Sequence, residues 1–345
     1  MNISLVEYVS LTIDCWTSKD SAHSLLGITC HFVRDGLPTF VVLSAKPIKG
    51  RHNASVLKEL LNVVLSDFSI PKSKIFVVLR DAAEVMVKVC YDLGLKSIDC
   101  FAHKCNLAIW DGIRKLNDDE SIKNLIERVK KFVRKLKKSR IQKEEFENLQ
   151  KVLEIPNVTL TKDTEVRWSS TFLMIDRFIL NKQVINLLSA GDLTLPNFGP
   201  DDWTTLAVLR KILQPIHSAT NDLQKRNTPL SATIPLFRVI CFALEDENDL
   251  LPVRQAIIDF LRAKKIPSEC DPYGFWTGDN TVKWPILSKI ATRFLSAPCT
   301  SAEAERLFSS AGLIINNLRK SLLQENAEML LFLHHNLVIY NFEYE

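Results

Sequence analysis

The chain has 345 residues, and 46% of them are hydrophobic, which suffices for one large globular domain or two ordinary ones. Lys and Arg (44) nearly balance Asp and Glu (40), so the net charge of +4 does not by itself indicate a polyanionic partner. The first residues carry no secretory signal pattern, and no run of about 18 apolar residues occurs. We therefore expect neither secretion nor a membrane span.

The eight cysteines are scattered and contain no Cys-x-x-Cys pair, which is typical of a reducing compartment. Cys100, His103 and Cys105 suggest zinc as an alternative role. Structural zinc normally takes four ligands, however, and no second pair with matching spacing follows. We expect no zinc in this chain and interpret Cys100 as a small buried apolar residue.

The first hundred residues predict a mixed α/β sheet. Three β-rich segments come first: Tyr8–Asp14, His23–Val33 and Thr39–Ala45. Asp35-Gly36 predicts a hairpin between the second and the third. Four segments then alternate between helix and strand: Ala54–Phe68, Lys74–Leu79, Ala83–Leu93 and Ser97–Phe101. This order fits a ribonuclease-H-like sheet and many other α/β folds equally well.

From about residue 102 the pattern is helical for nearly the rest of the chain. Ser121–Lys151 interleaves Lys and Arg with apolar residues and predicts one amphipathic, strongly basic helix. Such a face could track a phosphate backbone through Lys130, Lys131 and Arg134. It is equally consistent with an ordinary solvated helix, because Glu residues also line it.

Two aspartates, Asp14 and Asp81, stand where apolar strands end. Carboxylates at strand ends can share a divalent cation if the strands are neighbours, although an aspartate there more often caps the next helix or turn. Far along the chain, Ser301 begins a predicted helix that carries Glu303 and Glu305, where capping and the helix dipole also explain the acids. A metal site and a set of helix caps are thus both open.

Three blocks together resemble the hAT transposases and their domesticated relatives, the zinc-finger BED-type proteins. The first is LTIDCWTSKDSAHSLLGITCHFV, and the second is VVLRDAAEVMVKVCYDLG followed by CFAHKCNLAI. The third runs from DPYGFW to the last helix and contains SAEAER, which fits the family's Ser-Ala-x-x-Glu-Arg motif, the most specific of these signals. A shorter match is TEVRWSSTFLMIDRF. The matches follow the family order along nearly the whole chain.

The resemblance implies a ribonuclease-H-like mixed sheet with a helical insertion and a C-terminal helical hAT dimerisation region. The implied domains are residues 1–170 for the first part of the core, 171–265 for a shortened insertion, and 266–345 for the dimerisation region that completes the core. Asp14, Asp81 and Glu305 would be the catalytic triad and the ligands of Mg²⁺ or Mn²⁺. In-line attack on a DNA phosphodiester uses two such cations about 4 Å apart.

The resemblance also implies DNA contacts, a homodimer through the C-terminal region, and a nuclear location, with neither a membrane nor a small-molecule substrate. Trp168, beside Arg167, matches the aromatic platform that holds an unstacked base; a Trp packed under the insertion domain is the alternative. His103 matches a histidine that contacts phosphate.

Four departures from the family bear on activity. We expect no BED finger before the core. Ala82 and Val85 replace asparagines that would support the second aspartate, the insertion lacks a stretch within residues 237–276, and Leu313–Leu322 replaces a basic run. We therefore favour a domesticated or degenerate protein that binds nucleic acid and dimerises. The alternative is an active metal-dependent transposase that cleaves and transfers DNA strands and forms hairpins.

Overall fold

The computed structural model describes residues 6–18, 23–105, 107, 120–163, 168–225, 228–230, 273, 282, 285–315 and 322–337. The chain divides into two compact units. The first comprises Met1–Lys104, Asp222–Pro235 and Ile266–Glu345, and the second comprises Cys105–Asn221 and Leu236–Lys265. The predicted boundary at residue 170 falls inside the second unit, and the domain limits remain a proposal.

The first unit is built on a five-stranded mixed sheet. Its strands are β1 (Val9–Thr17), β2 (Ser24–Arg34), β3 (Leu37–Pro47), β4 (Ile75–Arg80) and β5 (Ser97–Asp99). They lie in the order β3-β2-β1-β4-β5, with β1, β2 and β3 antiparallel and with β4 parallel to both β1 and β5. The predicted fold class, a mixed α/β sheet with many helices, is confirmed.

Local chemistry explains these elements. Asp35 and Gly36 have φ values of 51° and 73°, the left-handed conformation that a tight hairpin between β2 and β3 requires. Two helices, α1 (Ala54–Asp67) and α2 (Glu84–Asp92), follow β3 and β4. Asn53 caps α1 by accepting a hydrogen bond of 2.9 Å from the amide of Val56.

The alternation of β1 gives the sheet two different faces. Leu11 and Ile13 are buried in one apolar cluster with residues of α1 and α2, so these helices cover that face. Ser10, Thr12 and Asp14 therefore point to the opposite face, because successive side chains of a strand alternate. This second face carries the candidate site.

The second unit, where it is described, is helical. It contains α3 (Glu120–Lys138), α4 (Arg140–Val152), α5 (Trp168–Leu180), α6 (Lys182–Gly191) and α7 (Pro200–Leu223), the last of which ends just beyond the unit. The single basic helix predicted over Ser121–Lys151 is wrong. It breaks at Ser139, whose hydroxyl accepts a hydrogen bond of 3.3 Å from the amide of Gln142 and caps α4.

Three further helices belong to the first unit: α8 (Pro285–Leu295), α9 (Ala302–Ile314) and α10 (Gln324–Leu337). Helix α10 lies against the edge strand β3. The Asn336 amide both accepts from Val42 N (3.0 Å) and donates to Val42 O (2.8 Å), so one side chain satisfies the edge as a neighbouring strand would. None of the described helices is long and apolar enough to cross a membrane.

A buried histidine lies on the same sheet face as Asp14. The Nε2 atom of His31 is 2.7 Å from the Thr29 hydroxyl, and its ring stacks on Phe40 of the paired strand with centroids 5.9 Å apart. Burial lowers the pKa of His31 from 6.5 to about 3. The ring is therefore neutral in the folded protein near neutral pH.

This histidine predicts acid sensitivity. Because the folded pKa lies below the unfolded one, protons bind preferentially to the unfolded chain below pH 6.5. The free energy of unfolding should fall as the pH decreases from 6.5 towards about 3, by at most about 1.4 kcal/mol per unit for this group. Urea unfolding at several pH values should show that the free energy of unfolding depends less steeply on pH in His31→Gln than in wild type. The exposed His52→Gln control should keep the wild-type pH dependence.

Candidate functional site

The structure corrects the position of one predicted aspartate: Asp14 lies within β1, which continues to Thr17, whereas Asp81 directly follows the end of β4. In the parallel ladder of β1 and β4, Thr12 pairs with Leu79, so two positions further on Asp14 stands level with Asp81. Paired strands lie about 4.8 Å apart, and residues level in a parallel pair face the same side. Both residues are partly exposed. The sheet therefore brings together two carboxylates that are far apart in sequence.

Each aspartate also accepts a hydrogen bond from a nearby backbone amide. Asp14 Oδ1 accepts a hydrogen bond of 2.8 Å from the amide of Cys15, and Asp81 Oδ1 accepts one of 3.2 Å from the amide of Ala83, at the start of α2. Asp81 thus stabilises the turn before α2, whose N-cap residue is Ala83 and which has no side-chain cap. This leaves a metal role open, because a carboxylate has about four lone-pair sites.

The thiol of Cys15, which packs on the apolar cluster, is affected by the charges of both aspartates. Burial, and then the charges of Asp14 and Asp81, raise the pKa of Cys15 from 9.0 to about 12. Cys15 is therefore a neutral thiol and not a nucleophile. Both carboxylates therefore shift the pKa of the same thiol in the same direction.

A third acid at this edge, Asp99 at the end of β5, is occupied by cations. It forms ion pairs with buried Arg80 and with Lys104, the latter at 2.8 Å. Burial alone would raise the pKa of Asp99, but the hydrogen bonds from Lys104 and Arg80 outweigh it and lower the pKa. We interpret Asp99 as a structural carboxylate that holds β5 to β4.

Helix α9 carries Glu305 across the same face of the sheet. Its start is fixed at the end of β5, where the amide of Ser301 donates to the sulfur of Cys100 at 3.4 Å. Cys100 is buried, as expected. Burial raises the pKa of this thiol, and the charge of Glu305 adds a smaller effect in the same direction. Glu305 is partly exposed.

Gly27 allows α9 to approach the sheet. It lies directly opposite Asp14 in the β1–β2 ladder, and a Cβ atom there would meet the Phe308 ring at 2.7 Å and Leu307 at 3.3 Å. Leu307 and Phe308 are buried, with Trp16 packed beside them. The first turns of α9 are thereby held beside the strand that carries Asp14.

The predicted metal set is only partly assembled. Asp14, Asp81 and Glu305 offer the oxygen ligands that Mg²⁺ prefers, and all three belong to one unit. Within the described ranges, however, no three His, Cys, Asp or Glu side chains are placed so that they could hold a metal ion. The assignment of these three residues as metal ligands stays a prediction.

The three predicted cations of α3 differ in their surroundings. Lys130 forms ion pairs of 3.2 Å with Glu127 and with buried Asp163. Arg134 pairs with Glu127 at 3.2 Å across a solvent-exposed surface, and Lys131 is exposed. Contact of these residues with DNA is untested, and only Lys131 and Arg134 have the exposure that such contact requires.

The other predicted DNA contacts are only partly visible. His103 is exposed in a short helical turn at residues 101–105. Trp168 begins α5, but its side chain and the whole of Arg167 lie outside the described residues. The shortened insertion at residues 237–276 and the end of Leu313–Leu322 also fall largely outside them.

Sequence reasoning missed two residues that position these groups. Gly27 stands inside a strand, where glycine often marks a close approach of another segment, so this signal was available. Asp163 carried no such signal. Its burial and its hydrogen bonds to the hydroxyls of Ser170 (2.7 Å) and Thr171 (2.9 Å) depend on how α5 packs beside α3.

Two family models match the chain. One, described as the ZBED1 RNase-like helical domain, matches residues 98–212, and the other, the hAT family C-terminal dimerisation region, matches residues 255–337. Together they cover α3 to α6, the first half of α7, and all of α8, α9 and α10.

Curated relatives agree with these models. The human zinc finger BED domain-containing protein 4 is 26% identical over 42% of this chain, and the mouse zinc finger BED domain-containing protein 6 is 22% identical over 71%. The rice (Oryza sativa subsp. japonica) zinc finger BED domain-containing protein RICESLEEPER 2 is 23% identical over 65%. The matches span 12%, 26% and 32% of these relatives, so the chain corresponds to a third or less of each.

The contact at Gly27 predicts a sharp difference between two glycines. Gly27→Ala places a methyl group against the buried Phe308 ring and should destabilise the protein by about 1–3 kcal/mol. Gly312→Ala, in α9 itself, meets nothing within 4 Å and should stabilise by about 0.5–1 kcal/mol through helix propensity. Thermal unfolding measures both. Equal melting temperatures for the two variants would contradict the packing of α9 over Gly27.

Proposed function

This chain belongs to the hAT transposase and transposase-derived BED-type family, and we propose that it is a nuclear protein that binds nucleic acid and dimerises without cutting DNA. The transposase-derived origin follows from the family. The partner, the nuclear location and the loss of catalysis are our inference. A nuclear location accords with a nucleic-acid partner.

One observation carries the proposal that catalysis is lost. Asp14 in β1 and Asp81 just after β4 lie on adjacent strands, yet the described residues assemble no three-ligand group around them. Two-cation chemistry depends on carboxylates held in fixed geometry, supported by polar neighbours. Ala82 and Val85 offer no polar side chains next to Asp81, and Val85 packs on the apolar core instead.

The alternative function is that of an active transposase, and a specific observation favours it. The ancestral acids are not dispersed: Asp14 and Asp81 each lie two residues beyond the Thr12–Leu79 pair of the β1–β4 ladder, and Glu305 lies on a helix packed against that face. In that case Asp14, Asp81 and Glu305 would hold Mg²⁺ or Mn²⁺. The cations would supply a nucleophilic hydroxide and neutralise the leaving oxygen.

Dimerisation is supported by the outward side of α10. Its inward side is anchored to the sheet by Ala327, Leu331 and Asn336, all buried. The other side exposes Met329 by 63%, Leu330 by 40% and Leu333 by 45%. Apolar residues at helical spacing that their own chain leaves uncovered suit a second copy. This helix lies inside the matched dimerisation region.

The absence of cleavage is testable with labelled duplexes that carry candidate transposon ends. We expect no Mg²⁺- or Mn²⁺-dependent cleavage by wild type, because a third metal ligand is not in place. Gel analysis of strand scission measures this. The alternative function predicts cleavage that Asp14→Asn and Glu305→Gln both abolish.

A matched control separates site effects from charge effects. Asp67→Asn removes one exposed carboxylate at the end of α1. Cleavage that survives Asp67→Asn but is lost in the two site variants would overturn the degenerate interpretation. Cleavage unchanged in Asp14→Asn or Glu305→Gln would show that the ligand assignment is wrong.

Substitution on α10 should dissociate the dimer. We expect wild type to be a dimer at micromolar concentration, and Leu330→Ser with Leu333→Ser to be a folded monomer, because these side chains are not needed by the protein's own core. Light scattering with circular dichroism measures mass and folding. Leu187→Ser, a change of a 51% exposed leucine on α6, should leave the dimer intact. A monomeric wild type would contradict the proposal.

A further inference from the structure

The cations of α3 fall into two groups according to what holds them. Lys130 belongs to the first group, because its partner Asp163 has a side chain only 4% exposed. Burial alone would lower the pKa of Lys130, but hydrogen bonds to Asp163 and Glu127 outweigh it and raise the pKa. Removing one partner of such a pair leaves a buried charge, so Lys130 is held in place by the fold.

Arg128 and Lys135 belong to the same group. Both guanidinium nitrogens of Arg128 contact the Asp202 carboxylate, and one also donates to the carbonyl of Asn197 at 3.0 Å. The Lys135 ammonium donates to the carbonyl of Thr194. These bonds tie α3 to the segment that precedes α7. The charges of these residues therefore serve the interior of the helical unit.

The second group faces solvent along one side of α3. Lys131, Arg134 and Lys138 follow at intervals of three and four residues, which places them on one helical face. Lys131 and Lys138 are separated by about 10 Å along the axis, close to three nucleotide rises on one strand of a duplex. Arg134 forms an ion pair with Glu127, and the two side chains are 56% and 54% exposed. Ion pairs as exposed as this contribute little stability. Arg134 can therefore exchange Glu127 for another anion.

Lys162 extends this row beyond the helix. It lines a groove beside α3 with Arg134 and Lys138, to which Glu127, Lys130 and Asp163 also contribute; Lys131 lies on the other side of Arg134 and Lys138. Asp163 is fixed by Lys130 and by the hydroxyls of Ser170 and Thr171, so the backbone next to Lys162 is held against α3. Among the described residues, no ion pair or hydrogen bond engages the side chains of Lys131, Lys138 or Lys162. The groove thus carries unneutralised positive charge on a rigid base.

We propose that Lys131, Arg134, Lys138 and Lys162 bind the sugar-phosphate backbone of a nucleic acid, whereas Lys130 only supports the fold. This inference deepens the proposed nucleic-acid binding and rests on it. A row of ammonium groups and one guanidinium, spaced for successive phosphates and lacking any apolar pocket, suits backbone contact without base readout. An acidic polypeptide is the competing occupant.

The test is the salt dependence of binding to a labelled random-sequence duplex. The triple variant Lys131→Gln, Lys138→Gln, Lys162→Gln should bind more weakly, and the slope of log K against log salt should become shallower by about 3, close to 0.9 for each lost phosphate contact. Lys130→Gln should keep the wild-type slope and instead lower the melting temperature. A charge-matched control changes Lys72, Lys88 and Lys151 to Gln, three exposed lysines elsewhere.

The outcomes separate this inference from the function on which it rests. If wild type does not bind the duplex, the proposed nucleic-acid binding itself fails. Suppose that wild type binds and that the slope of log K against log salt becomes shallower by the same amount in the triple variant and in the control. Binding is then general charge attraction, and the groove proposal is overturned. Displacement of the duplex by poly-glutamate at equal charge would assign the groove to acidic polypeptides and would also overturn it. A shallower salt dependence in the triple variant but not in the control supports the groove proposal.

Discussion

The parallel pairing of β1 with β4 is the constraint on which the candidate site depends. Thr12 and Leu79 are level in this ladder, and that register alone puts Asp14 beside Asp81. A slip of one residue would turn one carboxylate to the opposite face, because strand side chains alternate. The apolar side of β1, buried with α1 and α2, opposes such a slip. The hydrophobic core thus determines the position of polar groups that are not part of it.

The approach of α9 is the second constraint, and it depends on a missing side chain. Gly27 stands opposite Asp14, and the Phe308 ring fills the space that any larger residue would take. At its start, α9 is bonded through Ser301 to the sulfur of Cys100 at the end of β5. These contacts hold Glu305 near the sheet edge, although three ligands do not converge in the described residues.

Charged residues in this molecule have roles that their type does not reveal. Asp99 is held by Arg80 and Lys104, whereas Asp14 and Asp81 at the same edge are held by backbone amides. On α3, Lys130 is paired with a buried carboxylate, while Lys131, one residue later, faces solvent. The burial of the partner makes the difference, because separating a desolvated ion pair leaves a buried charge without its partner and costs much free energy. The same principle separates supporting residues from binding candidates in both units.

The sequence by itself determined the local elements of the sheet and the order of the family blocks. Hydrophobic alternation, the Asp35-Gly36 turn and the cap at Asn53 act over a few residues, so the predicted strands and helices agree closely with those observed. It did not determine the break at Ser139, where the hydroxyl caps a new helix although the hydrophobic pattern continues through this residue. Only the tertiary structure decided that Asp14 and Asp81 are level, that Gly27 receives Phe308, and that Asp163 holds Lys130. These contacts join residues distant in sequence, and their existence depends on register and burial, which no local pattern encodes.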